Sequence, residues 1–162
     1  MAVTTEEFKQ GMQRWASGVA VVTTQSQDGV PLGMTVTSFS SVSAEPAQIL
    51  VCINQETATG DAIKAGGTFG VNILTREQEE ISNLFASSAS PEERYAKVEY
   101  LTTDQGTPLL TAALASFECR VVTIFDAGSH SIVVGGIEQI ILRDGEPLCY
   151  FKADYQGLKG QP

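Results

Sequence analysis

Val19-Ala20-Val21-Val22-Thr23-Thr24-Gln25-Ser26-Gln27-Asp28-Gly29-Val30-Pro31-Leu32-Gly33-Met34-Thr35-Val36-Thr37 is the stretch from which the fold is read. Val19 to Thr24 is apolar and rich in β-branched side chains, which suit a pleated strand. Asp28-Gly29 is a hairpin turn signal, because glycine supplies the positive φ that a tight turn needs. Leu32 to Thr37 is then the returning strand. The same grammar repeats outward. Gln48 to Ile53 is a strand entered through Pro46, and Thr68 to Leu74 is another. Phe117 to Phe125 and Ser131 to Leu142 flank a turn at Ala127-Gly128-Ser129, and Asp144-Gly145 leads into a last strand, Leu148 to Phe151.

Helices are few and short. Thr4 and Glu7 fit a capping box, with Phe8, Met12 and Trp15 following as one apolar face until Gly18. A helix over about 59–65 stops at Gly66-Gly67. Thr75 and Gln78 open another that carries Ile81, Leu84 and Phe85, and Ser87 to Pro91 reads as a polar loop. Six or more strands joined by hairpin turns predict a mainly β fold, a closed antiparallel six-stranded barrel with a few short flanking helices, as one domain over 1–162. The strand–helix alternation of a doubly wound sheet is absent, and so is GxGxxG, which argues against a Rossmann dehydrogenase.

Composition narrows the function classes. The chain has 162 residues, 43% of them hydrophobic, enough for one real core. A net charge of −9 argues against nucleic acid and anionic membrane surfaces as partners. The apolar runs are strand-sized, and the acidic start Thr4-Thr5-Glu6-Glu7 lacks a signal peptide's basic region, so a cytoplasmic location is expected. Cys52, Cys119 and Cys149 are odd in number and far apart, which suits buried free thiols better than disulfides or structural zinc. His130 is the single histidine, so a histidine-rich metal site is not expected.

Acid–base machinery is scarce. No triad or nucleophile elbow is present, and Glu79-Glu80 reads as a solvated helix face. Such a chain either binds something or lets a cofactor carry the chemistry. Two segments could hold one. Gly33 to Ser43 leaves a strand and becomes rich in hydroxyls and backbone donors. Val51 to Gly60 runs from a strand into a helix start, whose free N–H groups favour an anion, although an ordinary N-cap explains it too.

Taken in order, the segments resemble the short-chain flavin reductase family, the reductase components of two-component flavin-dependent monooxygenases. The resemblance is carried by Trp15-Ala16-Ser17-Gly18-Val19 with Val21-Val22-Thr23-Thr24, by Gly33-Met34-Thr35 through Ser38-Phe39, and by Ser41-Val42-Ser43. It continues through Phe69-Gly70-Val71-Asn72-Ile73-Leu74, Asn83-Leu84-Phe85-Ala86, Pro108-Leu109-Leu110 and Ala113-Leu114-Ala115. It ends with Cys119-Arg120-Val121, Gly128-Ser129-His130-Ser131-Ile132 and Pro147-Leu148-Cys149-Tyr150-Phe151.

The resemblance implies an FMN-binding split barrel that forms a homodimer and transfers a hydride from NADH or NADPH to FMN or FAD, with reduced flavin passing to an oxygenase. It implies that Thr35, Val36, Thr37 and Ser38 line the flavin ring and that Val51, Cys52, Ile53 and Asn54 line the ring and ribityl chain. Thr57 and Thr59 would hold the phosphate, and Phe85-Ala86 would cover the flavin. Gly128 and His130 would meet the nicotinamide, with His130 as the catalytic candidate. Tyr150 and Tyr155 either cover the nicotinamide or pack. Arg94 is either solvated or a phosphate partner, and Trp15 and Phe39 read as packing groups. The late motif has Ser129 where the family often has Asp, and the phosphate loop offers Gln55, Glu56 and Ala58 where many members have a basic residue. Two other readings stay open: an FMN electron-transfer protein without nicotinamide turnover, and a flavin-dependent reductase of a corrinoid or ferric chelate.

Overall fold

The structure, a computed structural model, describes residues 2–158. Met1 and 159–162, which belong to the expected 1–162 domain, lie outside the described residues. In chain order the elements are α1 (Thr5–Met12), β1 (Ser17–Gly18), β2 (Ala20–Gln25), β3 (Pro31–Val36), β4 (Phe39–Ala44), β5 (Ala47–Asn54) and α2 (Ala58–Gly66). Next come β6 (Thr68–Ile73), a 3-10 turn at Arg76–Gln78, α3 (Glu79–Ala86), α4 (Pro91–Tyr95), β7 (Tyr100–Thr102) and β8 (Pro108–Leu110). The chain closes with β9 (Ala115–Ala127), β10 (His130–Leu142), β11 (Cys149–Phe151) and β12 (Asp154–Gln156).

The main sheet has seven antiparallel strands in the order β3-β2-β6-β9-β10-β5-β4. Its two edge strands, β3 and β4, are consecutive in sequence, and only Thr37 and Ser38 join them. The sheet must therefore curl until its opposite edges come within the reach of two residues. Bulges between Val134 and Gly135 and between Ile137 and Gln139 help to bend the long β9–β10 pair. Gly135 sits under Phe69, where an added Cβ would lie 2.5 Å from the ring, so a side chain there would force the sheet open.

The continuous apolar run of β2 has a structural cause: both of its faces are buried. Ala20 and Val22 face the interior of the curl with Val51, Ile53, Phe69, Val71 and Val133. Val19 and Val21 face the other way and pack with Leu74, Phe85, Tyr95, Leu110 and Leu148. Phe69 is fully buried in the first group, and truncating it to alanine is expected to cost about 3–5 kcal/mol. Asn72 ties the two layers: its side chain donates to the Val21 carbonyl at 2.9 Å and accepts from the Leu110 N–H at 2.8 Å.

The expected strands over Val19–Thr24, Leu32–Thr37, Gln48–Ile53 and Thr68–Leu74 are present within a residue or two. The expected six-stranded closed barrel is corrected to a seven-stranded sheet with no hydrogen-bonded pairing between β3 and β4. The added strand is β4, whose run Ser40-Ser41-Val42-Ser43 lies at the edge with little burial and so shows no alternating apolar pattern. The polar loop expected up to Pro91 instead leads into a helix, α4, capped by Ser90, whose hydroxyl accepts from the Glu93 N–H at 3.2 Å. The apolar face of Phe8, Met12 and Trp15 is not buried: α1 buries no residue, and Trp15 lies beyond its end at 69% exposure. All three cysteines are free, but only Cys119 is fully buried.

Candidate functional site

The corner between β3 and β4 leaves backbone donors open. The Cys52 N–H donates to the Ser38 carbonyl at 3.2 Å, so the two residues continue the β4–β5 ladder by half a pair. The reciprocal acceptor is taken by a side chain, because the Ser38 hydroxyl donates to the Cys52 carbonyl at 2.8 Å. Among the described residues, neither the Thr37 nor the Ser38 N–H has an acceptor. Unpaired donors at a protein surface await water or a ligand.

That corner opens on a cleft of about 580 Å³. It is lined by Phe8, Met12 and Trp15 from α1 and just beyond it, by Thr37, Ser38 and Phe39 at the corner, by Leu50 and Cys52 on a floor of β5, and by Tyr150 and Phe151 of β11. The volume and the mixture of apolar walls with a few directed donors suit a planar organic cofactor. A second cavity of about 380 Å³ adjoins it and shares Trp15, Ser17, Thr37 and Phe39.

From the floor, β5 leads to a helix start. Leu50, Cys52 and Asn54 fall on one face of the strand by its two-residue period, each half-buried. Val36, Val51 and Ile53 face the core instead, so only their backbones face the site side. At the strand end Thr57 caps α2: its hydroxyl accepts from the Gly60 N–H at 3.1 Å and donates to the Asn54 carbonyl at 2.8 Å. The Thr57 hydroxyl is thereby committed, and Thr59 is buried. The N–H groups of Ala58 and Thr59 have no acceptor among the described residues, so an anion would meet backbone more than hydroxyl here. An added Cβ on Gly60 would lie 2.9 Å from the Asn54 carbonyl, so the tight strand-to-helix turn depends on that glycine.

The late turn reaches the same place. Gly128 takes φ 62°, which a side chain rarely adopts, and His130 then pairs directly with Asn54 across β10 and β5. The Gln55 N–H donates to the Ser129 carbonyl at 3.1 Å, and its side chain donates to the His130 carbonyl at 3.1 Å. The His130 ring is exposed, with Nδ1 2.9 Å from the Ser129 hydroxyl. Gly128, His130, Asn54 and Thr57 are thus brought together, two residues along β5 from the cleft floor.

The remaining candidates support the corner from behind. The Thr35 hydroxyl donates to the Ser82 carbonyl at 2.7 Å, the Ser82 hydroxyl is 2.7 Å from the Tyr155 hydroxyl, and Tyr155 stacks edge-on against Tyr150 at 5.4 Å. Tyr150 faces the cleft, whereas Tyr155 faces α3. Phe85 is buried against Gly33 and Tyr95, so its ring is core, and Ala86 beside it is exposed. Arg94 is neither solvated nor free for a phosphate. Its guanidinium donates to the Gly33 carbonyl at 2.6 Å and the Ser87 carbonyl at 2.5 Å, over the Phe85 ring.

The strongly shifted groups lie elsewhere. Burial pushes the Cys119 thiol up to about 12, and burial also raises the Tyr95 phenol; both belong to the packed interior. Among the described residues no cluster of three or more His, Cys, Asp or Glu is placed to hold a metal ion. Sequence reading missed the cleft roles of Phe8, Met12 and Trp15, and of Lys9, Lys152 and Ala153. Helical spacing identified the first three as one face but not what that face adjoins.

Residues 12–159 match the model of the flavin reductase like domain. The chain belongs to that family. Among its relatives, the FMN reductase (NADH) RutF of Ancylobacter novellus is 34% identical over 164 residues, covering 99% of this chain and 89% of the relative. The NADH-dependent flavin reductase of a Rhodococcus species is 36% identical, covering 97% and 88%. The solved structure of the flavin reductase PheA2 superposes with a TM-score of 0.88 at 30% identity, covering 98% of this chain and all of that one. BorF, the flavin reductase component of a bacterial two-component tryptophan halogenase, superposes with a TM-score of 0.87 at 31% identity and the same coverage. The curled sheet is therefore the flavin reductase architecture.

Proposed function

We propose that the chain is an NAD(P)H:flavin oxidoreductase that transfers a hydride from NADH, or NADPH, to FMN or FAD and supplies reduced flavin to a partner monooxygenase. The observation that carries this reading is the pair of unpartnered Thr37 and Ser38 N–H groups on the rim of a largely apolar 580 Å³ cleft. Flavin, when bound, supplies the two-electron acceptor. The chain's own task is to hold two rings face to face and to steady the charge that grows on the acceptor. Backbone N–H groups do this without a titrating side chain, which accounts for the scarcity of acid–base residues.

Within this reading Thr37 and Ser38 bind the ring edge through their amides, while Thr35 holds the corner through Ser82. Cys52 and Asn54 border the ring and ribityl chain, and the α2 N-terminus takes the phosphate. His130, beside Asn54, positions the nicotinamide, and Tyr150 lines the cleft that receives it. Val36, Val51, Ile53 and Phe85 shape the site from the core.

Residues 1–162 act as one domain. The curled sheet works as a split barrel, open between β3 and β4. No helix among the described residues is long and apolar enough to cross a membrane, and a cytoplasmic location is proposed on that and the acidic charge. The exposed Val122 and Phe125 on β9, with Ile140 and Leu142 on β10, support a homodimer that covers them.

Anaerobic mixing of the flavin-loaded protein with NADH tests the proposal against a simple electron carrier. Loss of the oxidised flavin absorbance within turnover time supports the reductase, and a flavin that stays oxidised overturns it. Sedimentation with FMN present tests the dimer, and a monomer at micromolar concentration overturns it.

A further inference from the structure

The cleft has an unusual charge balance. The chain carries 19 acidic residues against 10 lysines and arginines, yet no carboxylate lines the cleft, and two lysines, Lys9 and Lys152, do. Neither lysine forms an ion pair among the described residues; the Lys152 ammonium lies 5.5 Å from the centre of the Phe151 ring. In a chain of net charge −9, a carboxylate-free pocket edged by two unpaired cations is a local reversal of field.

The backbone under Lys152 is unusual too. Lys152 and Ala153, the two-residue turn between β11 and β12, have φ of 54° and 60°. A turn with positive φ at both central positions favours Asn-Gly, because a side chain there is strained. The Lys152 N–H donates to the Gln13 carbonyl at 3.0 Å, and the Gln13 N–H donates to the Lys9 carbonyl at 3.0 Å. The strained turn is therefore fastened to the end of α1, and the backbones of both lysines belong to one hydrogen-bonded unit. Asn54, Thr57 and the first residues of α2, by contrast, do not line the cleft.

We infer that Lys9 and Lys152 form an anion subsite for the phosphates of the nicotinamide dinucleotide, separate from the flavin phosphate site at the α2 N-terminus. The inference rests on the hydride-donor reading above. Two phosphate-bearing ligands must share one small domain, and the two sets of donors are separate: the lysines line the cleft, and the α2 N-terminus lies outside its lining. The lysines give charge attraction without a rigid fork, which suits a donor that must bind and leave in every turnover.

The test uses Lys9→Gln, Lys152→Gln and the double variant in the full chain, since glutamine keeps the length and removes the charge. NAD+ titrated into the flavin-loaded protein reads binding apart from turnover. The double variant is expected to bind NAD+ about tenfold more weakly, equivalent to about 1.4 kcal/mol, and to lose most of the salt dependence of that binding. Oxidation of 1-benzyl-1,4-dihydronicotinamide, a donor with no phosphate, is expected to stay unchanged. Affinities for FMN and for riboflavin are expected to stay unchanged as well. Unaltered NAD+ affinity overturns the subsite, and so does equal loss with the benzyl donor, which would mark a purely structural role. A loss of FMN but not riboflavin affinity overturns it in favour of the flavin phosphate. If the wild type oxidises neither donor but binds NAD+ through these lysines, the reductase reading fails and the subsite stands.

Discussion

Asn54 stands directly opposite His130 in the β5–β10 ladder, and the next residue along, Gln55, donates its N–H to the Ser129 carbonyl at 3.1 Å. The late turn and the strand-to-helix turn are therefore one unit. An exposed histidine ring is held at the strand end that leads into α2 without having to be buried.

His130→Ala is expected to raise the KM for NADH or slow hydride transfer while leaving flavin affinity nearly unchanged. The loss corresponds to one hydrogen bond, about 0.5–1.5 kcal/mol to a neutral group and up to about 3 to a charged one. Stopped-flow NADH oxidation beside a flavin titration checks it. Unchanged NADH kinetics in a folded, flavin-binding variant would return the histidine to a turn residue. Ser129→Asp in the same assay is expected to be tolerated, because the turn is closed by backbone bonds.

Thr37→Pro removes one of the two open amides, whereas Thr37→Ala removes only an exposed hydroxyl that makes no bond among the described residues. The proline variant is expected to lose at least tenfold in flavin affinity, about 1.4 kcal/mol, and the alanine variant less than about 1 kcal/mol. Equal affinity in wild type and a folded proline variant would remove the corner from the site.

Ala153→Gly is expected to stabilise the protein by about 1 kcal/mol, since glycine occupies positive φ without the Cβ clash. Denaturant midpoints at unchanged slope measure it. An unchanged or lowered midpoint would mean that the turn carries no relievable strain.

Glu7 and Glu93 both lie below the ordinary glutamate value of 4.5, held down first by the backbone N–H of Thr4 and Ser90 and then by their hydroxyls. A carboxylate whose folded value is depressed adds stability that is complete above its unfolded value and lost as pH falls through the folded one. Stability is thus expected to fall on acidification below about pH 4.5. Glu93→Gln keeps the capping box and removes that titration, so its melting temperature should fall less steeply between pH 5 and 3. Parallel curves for the two proteins would contradict it.

Much of the sheet was legible because its central strands obey strong local rules. Val19 to Thr24 shows continuous burial as continuous β-branching, and Asp28-Gly29 and Gly128 mark turns that need positive φ. β4 was not legible, since an edge strand with little burial carries no apolar alternation. The β11–β12 turn hid for the opposite reason, because Lys152-Ala153 adopts a glycine-like conformation without a glycine. At the site, helix capping at Thr57 was visible as a pattern, but the commitment of its hydroxyl to Asn54 and Gly60 was not. Arg94 read as a polar-loop residue because nothing local reveals that Gly33, 61 positions away, supplies its acceptor.

Steady-state oxidation of NADH by the purified protein with free FMN, followed by nicotinamide absorbance, with the Thr37→Pro variant alongside, tests the reductase activity most directly. Oxidation is expected to require protein, to saturate with flavin and with NADH, and to need a markedly higher flavin concentration in the variant. NADH oxidation no faster than that of NADH and FMN without protein would contradict it.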